Sequence, residues 1–374
     1  MPEWRASPEP PPFADAADTN RRKVAREGGC GADSPYASGV SSEGELPEPA
    51  SETTELVAAL RGKRALLVAS TGGHLAQIVR WSERFELRSD SVFATFASEQ
   101  SRSLLSGRSV VTLDYVPPRG LRPAISAAVR LHRETRRERF DVVLSTGAAI
   151  GISAYAVAQL RRLPMIYIES VSRFDGPSAT GRILERLPRI ERYSQHAAWA
   201  DRPGWRQGPS LLDDYTAVPA AGPGARNGEG RSIFVSLGTI KPFRFDALVD
   251  AVRDQLRPGD TVTWQLGVTT RDDLPGTVAG ELRSEEFDRL VAGSDVFVTH
   301  SGVGTLLRAL ELGVRPVVVP RLAERGEHVD DHQVQVAREL DRRGLVLLRD
   351  PGELTSADLD PSGVAIRRSG DAPA

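Results

Sequence analysis

Residues 65–75 read ALLVASTGGHL, and residues 295–310 read DVFVTHSGVGTLLRAL. In both, a short apolar run ends in Ser, Thr, Gly and His and leads into a helix-like pattern. Apolar runs of this length bounded by glycine suit buried strands, and the spacing that follows suits a helix. Glycine at a strand end permits a sharp turn and a close backbone approach to a ligand. Peptide N–H groups at the next helix start can then meet an anion.

The same rhythm extends outward from both stretches. Strand-like runs recur at 91–97, 109–116, 141–146 and 164–170, with helical patterns at 74–85, 124–140 and 152–162. A further series has strands at 231–239, 261–267, 295–300, 315–320 and 344–350, and helices at 305–313 and 329–344. Strands alternating with helices predict an α/β fold of parallel sheets covered by helices. The stretch 201–230 breaks the rhythm, and its later part is rich in Gly, Pro, Ala and Asn. The expected organisation is a disordered acidic leader at 1–60, one domain at 61–214 and a linker at 215–230. Another domain follows at 231–350, then a tail at 351–374 that is loose or partly helical. The leader reading rests on eight prolines and eleven acids against five bases in residues 1–60. Such a segment has little apolar surface to offset the entropy of ordering.

Composition narrows the function classes. A net charge of −2 argues against a strongly cationic nucleic-acid-binding body. The single cysteine, Cys30, excludes an intrachain disulfide framework and a Cys-rich zinc site, and suits a reducing compartment. No 18-residue apolar run and no basic-then-apolar start are present, so the expectation is a cytoplasmic protein, extending to the inner face of the cell membrane. His328 and His332 are four residues apart, but spacing supplies no third ligand, and no metal or other cofactor is expected.

Locally, STGGHL reads as an anion-binding or catalytic loop or as a tight structural turn. It has no Walker ending and no GxGxxG fingerprint. His74 would sit at a helix N-terminus, whose positive potential opposes protonation and leaves a neutral imidazole able to act as a base. A capping or core-edge histidine is the alternative. The turn FVSLGT offers Gly238 and Thr239 to a phosphate, and Ser301, Gly302, Val303, Gly304 and Thr305 present backbone and hydroxyl groups at a helix start. Helix capping alone would also account for the latter.

Three longer stretches carry a resemblance: LLVASTGGHLAQIVR, DVVLSTGAAIGISAYAVAQLRRLPMIYIES and DVFVTHSGVGTLLRALELGVRPVVVPR. They resemble the paired subunits of N-acetylglucosaminyl-diphosphodolichol synthase and bacterial exopolysaccharide glycosyltransferase pairs. The N-terminal half is similar to the acceptor-side subunit. The C-terminal half resembles the catalytic subunit and the C-terminal domain of family 28 glycosyltransferases. Together the matches span about residues 62–350. The resemblance implies a GT-B fold: two Rossmann-like domains facing across a cleft, here fused in one chain. It also implies transfer of a sugar from a nucleoside diphosphate, with UDP-sugar the expected substrate, to a lipid-linked or glycan acceptor.

On this resemblance the donor side comprises Gly238, Thr239, His300, Ser301, Gly302, Val303, Gly304 and Thr305, joined by Glu327, His328, Asp330 and Gln333 of the EHVDDHQ segment. Asp331 stands where relatives often have Asn. A larger departure is Arg308, which occupies the position of a glutamate that in relatives accepts ribose hydroxyls. A guanidinium has no acceptor, so Arg308 would salt-bridge, face solvent or reach phosphate. The acceptor side comprises Ser70, Thr71, Gly72, Gly73, Ser145, Thr146, Gly147, Ser170 and Arg173. His74 is the first candidate base, with Glu169 orienting the acceptor, assisting His74 or forming a strand-end salt bridge. The segment 119–141 carries seven arginines, His132 and three acids. It would be a solvated helix or a contact to an anionic membrane or lipid-linked diphosphate. Competing functions are nucleotide-sugar epimerisation and noncatalytic nucleotide-sugar binding or assembly.

Overall fold

A computed structural model describes residues 51–117, 120–220, 230–238, 242–328 and 332–369, with residues 51–53 and 332 described in backbone alone. The first lobe begins with α1 (Ser51–Leu60), β1 (Ala65–Val68), α2 (Gly73–Arg84), β2 (Val92–Phe96), α3 (Glu99–Leu104) and β3 (Ser109–Leu113). It continues through α4 (Leu121–Thr135), β4 (Val142–Ser145), α5 (Ile150–Arg161), β5 (Met165–Ile168), α6 (Ala179–Leu184), β6 (Ile190–Ser194) and β7 (Arg206–Gln207). After β8 (Tyr215–Pro219), the second lobe holds β9 (Ser232–Ser236), α7 (Asp246–Arg253), β10 (Thr261–Gln265), β11 (Thr277–Ala279), α8 (Ser284–Gly293) and β12 (Val296–Thr299). Then come α9 (Val303–Glu311), β13 (Val317–Val318), α10 (His332–Arg342), β14 (Leu347–Leu348) and β15 (Val364–Arg368).

Both sheets are parallel and share one plan. The first runs β3-β2-β1-β4-β5-β6-β7, and the second β11-β10-β9-β12-β13-β14. Renumbered from its own first strand, each follows the Rossmann order 3-2-1-4-5-6, with one extra edge strand on the first. In such a sheet the order reverses between strands one and four, and the crevice beyond their carboxyl ends is the natural ligand position. Those switch points are β1/β4 and β9/β12. The β1 and β4 strands are buried along their whole length, as helices on both faces require.

One apolar core crosses the lobes. Leu75 and Ile78 of α2 belong to the same cluster as Leu306, Leu307 and Leu310 of α9 and Leu340 of α10. A cavity of about 600 Å³ opens elsewhere along the junction, between Phe174 and Asp175 on one side and Leu322, Gln335 and Arg338 on the other. The architecture is therefore GT-B: two Rossmann-like lobes set face to face.

Two boundaries differ from the sequence reading. The leader assigned to 1–60 ends in helix α1, whose Leu56 and Leu60 are buried; segment-wide acidity masked their i,i+4 spacing. The stretch beyond residue 350 forms two single-turn 3₁₀ segments, Pro351–Glu353 and Ser356–Leu359, and then β15. That strand pairs antiparallel with β8, so residues 215–219 of the expected linker are sheet. Residues 221–229 lie outside the described residues.

Candidate functional site

At the first switch point Gly72 takes φ 83° and stands at the N-cap of α2, with no side chain of its own to cap the helix. Its N–H donates to Gln100 Oε1 at 2.6 Å, and Gln100 Nε2 donates back to the Gly72 carbonyl at 3.1 Å. Ser70 and Thr71 are half-buried on the turn. His74 Nδ1 lies 2.7 Å from the Thr146 carbonyl, and Thr146 Oγ1 donates to the His74 carbonyl at 3.0 Å. Because a carbonyl only accepts, Nδ1 carries the proton and a neutral ring has its lone pair on Nε2. Gly147, at φ 112°, leaves room for this ring: a Cβ there would stand 3.2 Å from His74 Cε1 and 3.0 Å from the Tyr167 hydroxyl. Ser145 is buried, and its Oγ accepts from the Gly147 N–H at 3.3 Å.

Glu169 is fully buried at the end of β5. Its carboxylate accepts from Tyr167 Oη (3.2 Å), Ser170 N (3.0 Å), Ser178 N (2.9 Å) and Ser178 Oγ (3.0 Å). Burial raises its pKa above the ordinary carboxylate value, against the lowering pull of the Ser178 and Ser170 donors and the Arg173 charge. The group is a structural hub for the 170–178 loop, and no contact with His74 is among its partners. Ser170 Oγ accepts from Gln77 Nε2 at 3.1 Å, and Arg173 is half-buried on the same loop.

At the second switch point His300 fills the space left by two glycines. A Cβ on Gly238, at φ 70°, would lie 2.5 Å from His300 Cε1, and one on Gly302 would lie 2.3 Å from Nε2. Burial, with the Arg321 charge adding to it, lowers the His300 pKa to about 3. Gly302 caps α9 with no side-chain hydrogen bond, and Val303, Gly304 and Thr305 form the first turn. Ser301 is fully buried, and its Oγ has no hydrogen-bond partner among the described residues. Glu327 Oε2 accepts from the Leu322 N–H at 3.0 Å, His328 stacks on Phe243 with centroids 5.9 Å apart, and Gln333 Oε1 accepts from the Arg321 N–H at 3.2 Å. Thr239 and Asp330 lie outside the described residues.

The two switch points meet. A Cβ on Gly73 would be 3.5 Å from Val303 Cβ, and one on Gly304 would be 3.7 Å from Gly73 Cα. Farther along, Arg80 pairs with Glu311, so α2 and α9 run parallel with their starts side by side. Two aligned N-terminal ends, each without a side-chain cap, concentrate positive potential at one place. Arg308 takes no part there: its guanidinium is bidentate to Asp288 and also reaches Glu311 Oε2 at 3.0 Å. Of its three expected environments it takes the salt bridge.

Gln77, Gln100, Tyr167 and Arg321 escaped the sequence reading. Gln77 left one trace, a polar residue inside the apolar face of α2. Among the described residues no three His, Cys, Asp or Glu side chains converge as a metal site.

The sequence profile of the glycosyltransferase family 28 C-terminal domain matches residues 284–351, a span that includes His300 to Thr305, Glu327, His328 and Gln333. The C-terminal lobe resembles that domain. No curated protein sequence matches the chain. Among solved structures, it is similar to a glycotransferase of kitacinnamycin (17% identity, 80% of this chain and 89% of that one, TM-score 0.49). Others are MurG of Acinetobacter baumannii (16%, 79% and 88%, 0.46) and SnogD of Streptomyces nogalater (20%, 81% and 92%, 0.49). The family 28 match, seated on a two-lobed Rossmann architecture, supports assigning the chain as a glycosyltransferase.

Proposed function

We propose that this glycosyltransferase moves a hexose, uronic acid or N-acetylhexosamine from a nucleoside-diphosphate sugar to a lipid-linked or glycan acceptor in polysaccharide biosynthesis, without a metal. UDP-sugar is the first donor to test. The reading is carried by one observation: the uncapped starts of α2 and α9, one from each switch point, lie side by side. An anionic diphosphate is the group that such a place favours.

In this reading the donor diphosphate rests on the N–H groups at Gly302 to Thr305, and the acceptor approaches over the β1 and β4 turns. The acceptor oxygen attacks the sugar C1 as the C1–O bond to diphosphate breaks, and the electron pair leaves on the diphosphate. Fixed N–H dipoles stabilise that charge as it develops. For a hydroxyl acceptor the proton passes to His74 Nε2, since Nδ1 already donates to Thr146. A phosphate acceptor has no proton to lose, and His74 then orients it. Glu169 acts by holding the 170–178 loop in shape.

The acceptor side also has a surface suited to lipid. Leu121, Ile125 and Val129 of α4 form an i,i+4,i+8 stripe, each more than half exposed, on a helix that also carries Arg122, Arg130 and Arg133. An apolar stripe with cations beside it suits peripheral contact with an anionic membrane. No helix among the described residues is long and apolar enough to cross one.

The deciding experiment is a donor-by-acceptor screen with membranes present, reading released nucleotide and product mass together. Acceptor-dependent release of nucleoside diphosphate with a matching mass gain is expected. An epimerised donor formed without acceptor, or donor binding with no turnover on any acceptor, would replace the transferase reading.

A further inference from the structure

Arg321 follows β13 and is 1% exposed, one of the largest fully buried side chains in the protein. Its Nη1 donates to the carbonyls of Phe243 (3.1 Å), Arg244 (3.1 Å) and Glu327 (3.3 Å), and its Nη2 donates to that of Leu237 (2.8 Å). The guanidinium carbon sits 4.7 Å over the Phe245 ring. Every hydrogen bond of this guanidinium among the described residues thus ends on a backbone carbonyl, and Nε has no partner. Burial lowers its pKa to about 10, which keeps it charged at neutral pH.

The Glu327 carboxylate is near enough to act on this charge but makes no ion pair with it, and a buried cation held mainly by dipoles is costly unless further charge of the opposite sign is supplied. Carboxylates neutralise other buried arginines here; Arg231, for example, is paired with Asp260 and Asp360. Arg321 differs in location as well as in partners. The Leu237 carbonyl it binds precedes Gly238, Gly238 packs on His300, and His300 packs on Gly302. The cation lies one layer beneath the loops on which the donor diphosphate is read to rest, and it ties Leu237, Phe243 and Arg244 to Glu327 of the 320–327 loop.

We propose that Arg321 is a positioning residue for the donor diphosphate, fixing both donor loops and leaving beneath them a positive charge that forms no ion pair among the described residues and that the bound anion offsets. This deepens the donor reading above and rests on it. Unlike a helix start, the charge does not depend on contact with the ligand, because low-dielectric surroundings screen it weakly.

The test is calorimetric binding of UDP, inorganic pyrophosphate and uridine to the full chain and to Arg321→Met and Arg321→Lys. Loss of the charge is expected to weaken UDP and pyrophosphate by about tenfold or more while uridine changes by less than about twofold, a split that a merely structural role would not produce. The lysine variant is expected to stay within about threefold of wild type for pyrophosphate. Equal UDP affinity in Arg321→Met, or equal loss of UDP and uridine, overturns the proposal. If Arg321→Met does not unfold cooperatively, a folded Arg321→Lys that loses about tenfold in pyrophosphate affinity overturns it instead. Wild-type protein that binds neither UDP nor pyrophosphate would remove the donor reading itself, a result distinct from wild-type binding that the variants leave unchanged.

Discussion

Arg80 of the first lobe and Glu311 of the second form an ion pair, Nη2 to Oε1 2.6 Å, with side chains 10% and 20% exposed. It sits at the far end of the α2–α9 contact that begins at Gly73 and Val303. Its two members are unequally supported. Glu311 also accepts from Arg308, whereas Arg80 Nε has no hydrogen-bond partner among the described residues. Glu311→Gln should therefore destabilise more than Arg80→Met, by about 2 kcal/mol against about 1 kcal/mol, since it leaves a nearly buried cation unpaired. Chemical denaturation of both variants and the double mutant measures the order; the reverse order would contradict the shared-partner picture.

The packing of His300 against Gly302 makes a separate prediction. Gly302→Ala puts a methyl 2.3 Å from the ring nitrogen, so the imidazole or the helix start must move. UDP affinity should fall by about tenfold, and His300→Ala in the same chain should restore part of it. Strictly additive losses would mean that the two residues do not share this space.

Acid should destabilise the protein through two histidines. Burial holds His300 to about 3 and His196 to about 4, each below its ordinary 6.5. The unfolded chain then binds protons near pH 6.5 that the folded chain refuses. Their contribution to stability is complete above about pH 6.5 and is lost as pH falls toward 4 and then 3. Each group adds up to about 1.4 kcal/mol per pH unit to the slope in that window. Urea midpoints at pH 7 and pH 5 for His196→Asn and the wild type test it, with a shallower pH dependence expected in the variant.

His74 and Glu169 should fail in different ways. His74→Ala should lower turnover with a hydroxyl acceptor by about 10²- to 10⁴-fold while leaving UDP affinity intact. Glu169→Ala orphans buried donors from Tyr167, Ser170 and Ser178, so it should cost several kcal/mol of stability, at about 1–3 kcal/mol for each unsatisfied group. Melting and steady-state kinetics side by side separate them. A fully stable Glu169→Ala with lost turnover would instead place its carboxylate in the chemistry.

Membrane contact predicts that vesicles of phosphatidylglycerol and phosphatidylcholine sediment the protein and pure phosphatidylcholine vesicles do not. Ile125→Ser with Val129→Ser should reduce the bound fraction by about fivefold, because both side chains are exposed and their loss removes only buried-in-lipid surface. Equal binding by wild type and variant would locate the contact elsewhere.

Much of the fold was legible because its signals are local. The apolar runs of β1, β4, β5, β9 and β12 are read from five or six consecutive residues, and glycine-bearing turns after β1, β4, β9 and β12 are plain in the sequence. Strand β6 was not legible: Ile190 and Tyr193 are buried but Glu191 is exposed, so no apolar run announces it. The β8–β15 pair joins residues some 150 positions apart and has no local signature.

By itself the sequence determined two strand–helix series, each with a small-residue turn at its centre, since hydrophobic period and glycine placement act over a few residues. Tertiary structure alone decided that the turns at 70–75 and 300–305 touch, that the Glu169 carboxylate is taken up by Tyr167, Ser170 and Ser178, that Arg308 is held by Asp288 and Glu311, and that the buried Arg321 guanidinium is held by backbone carbonyls without an ion pair among the described residues. Those outcomes depend on which charged and polar groups meet after the lobes pack. Electrostatic neighbours are set by distance in space, and distance along the chain does not encode it.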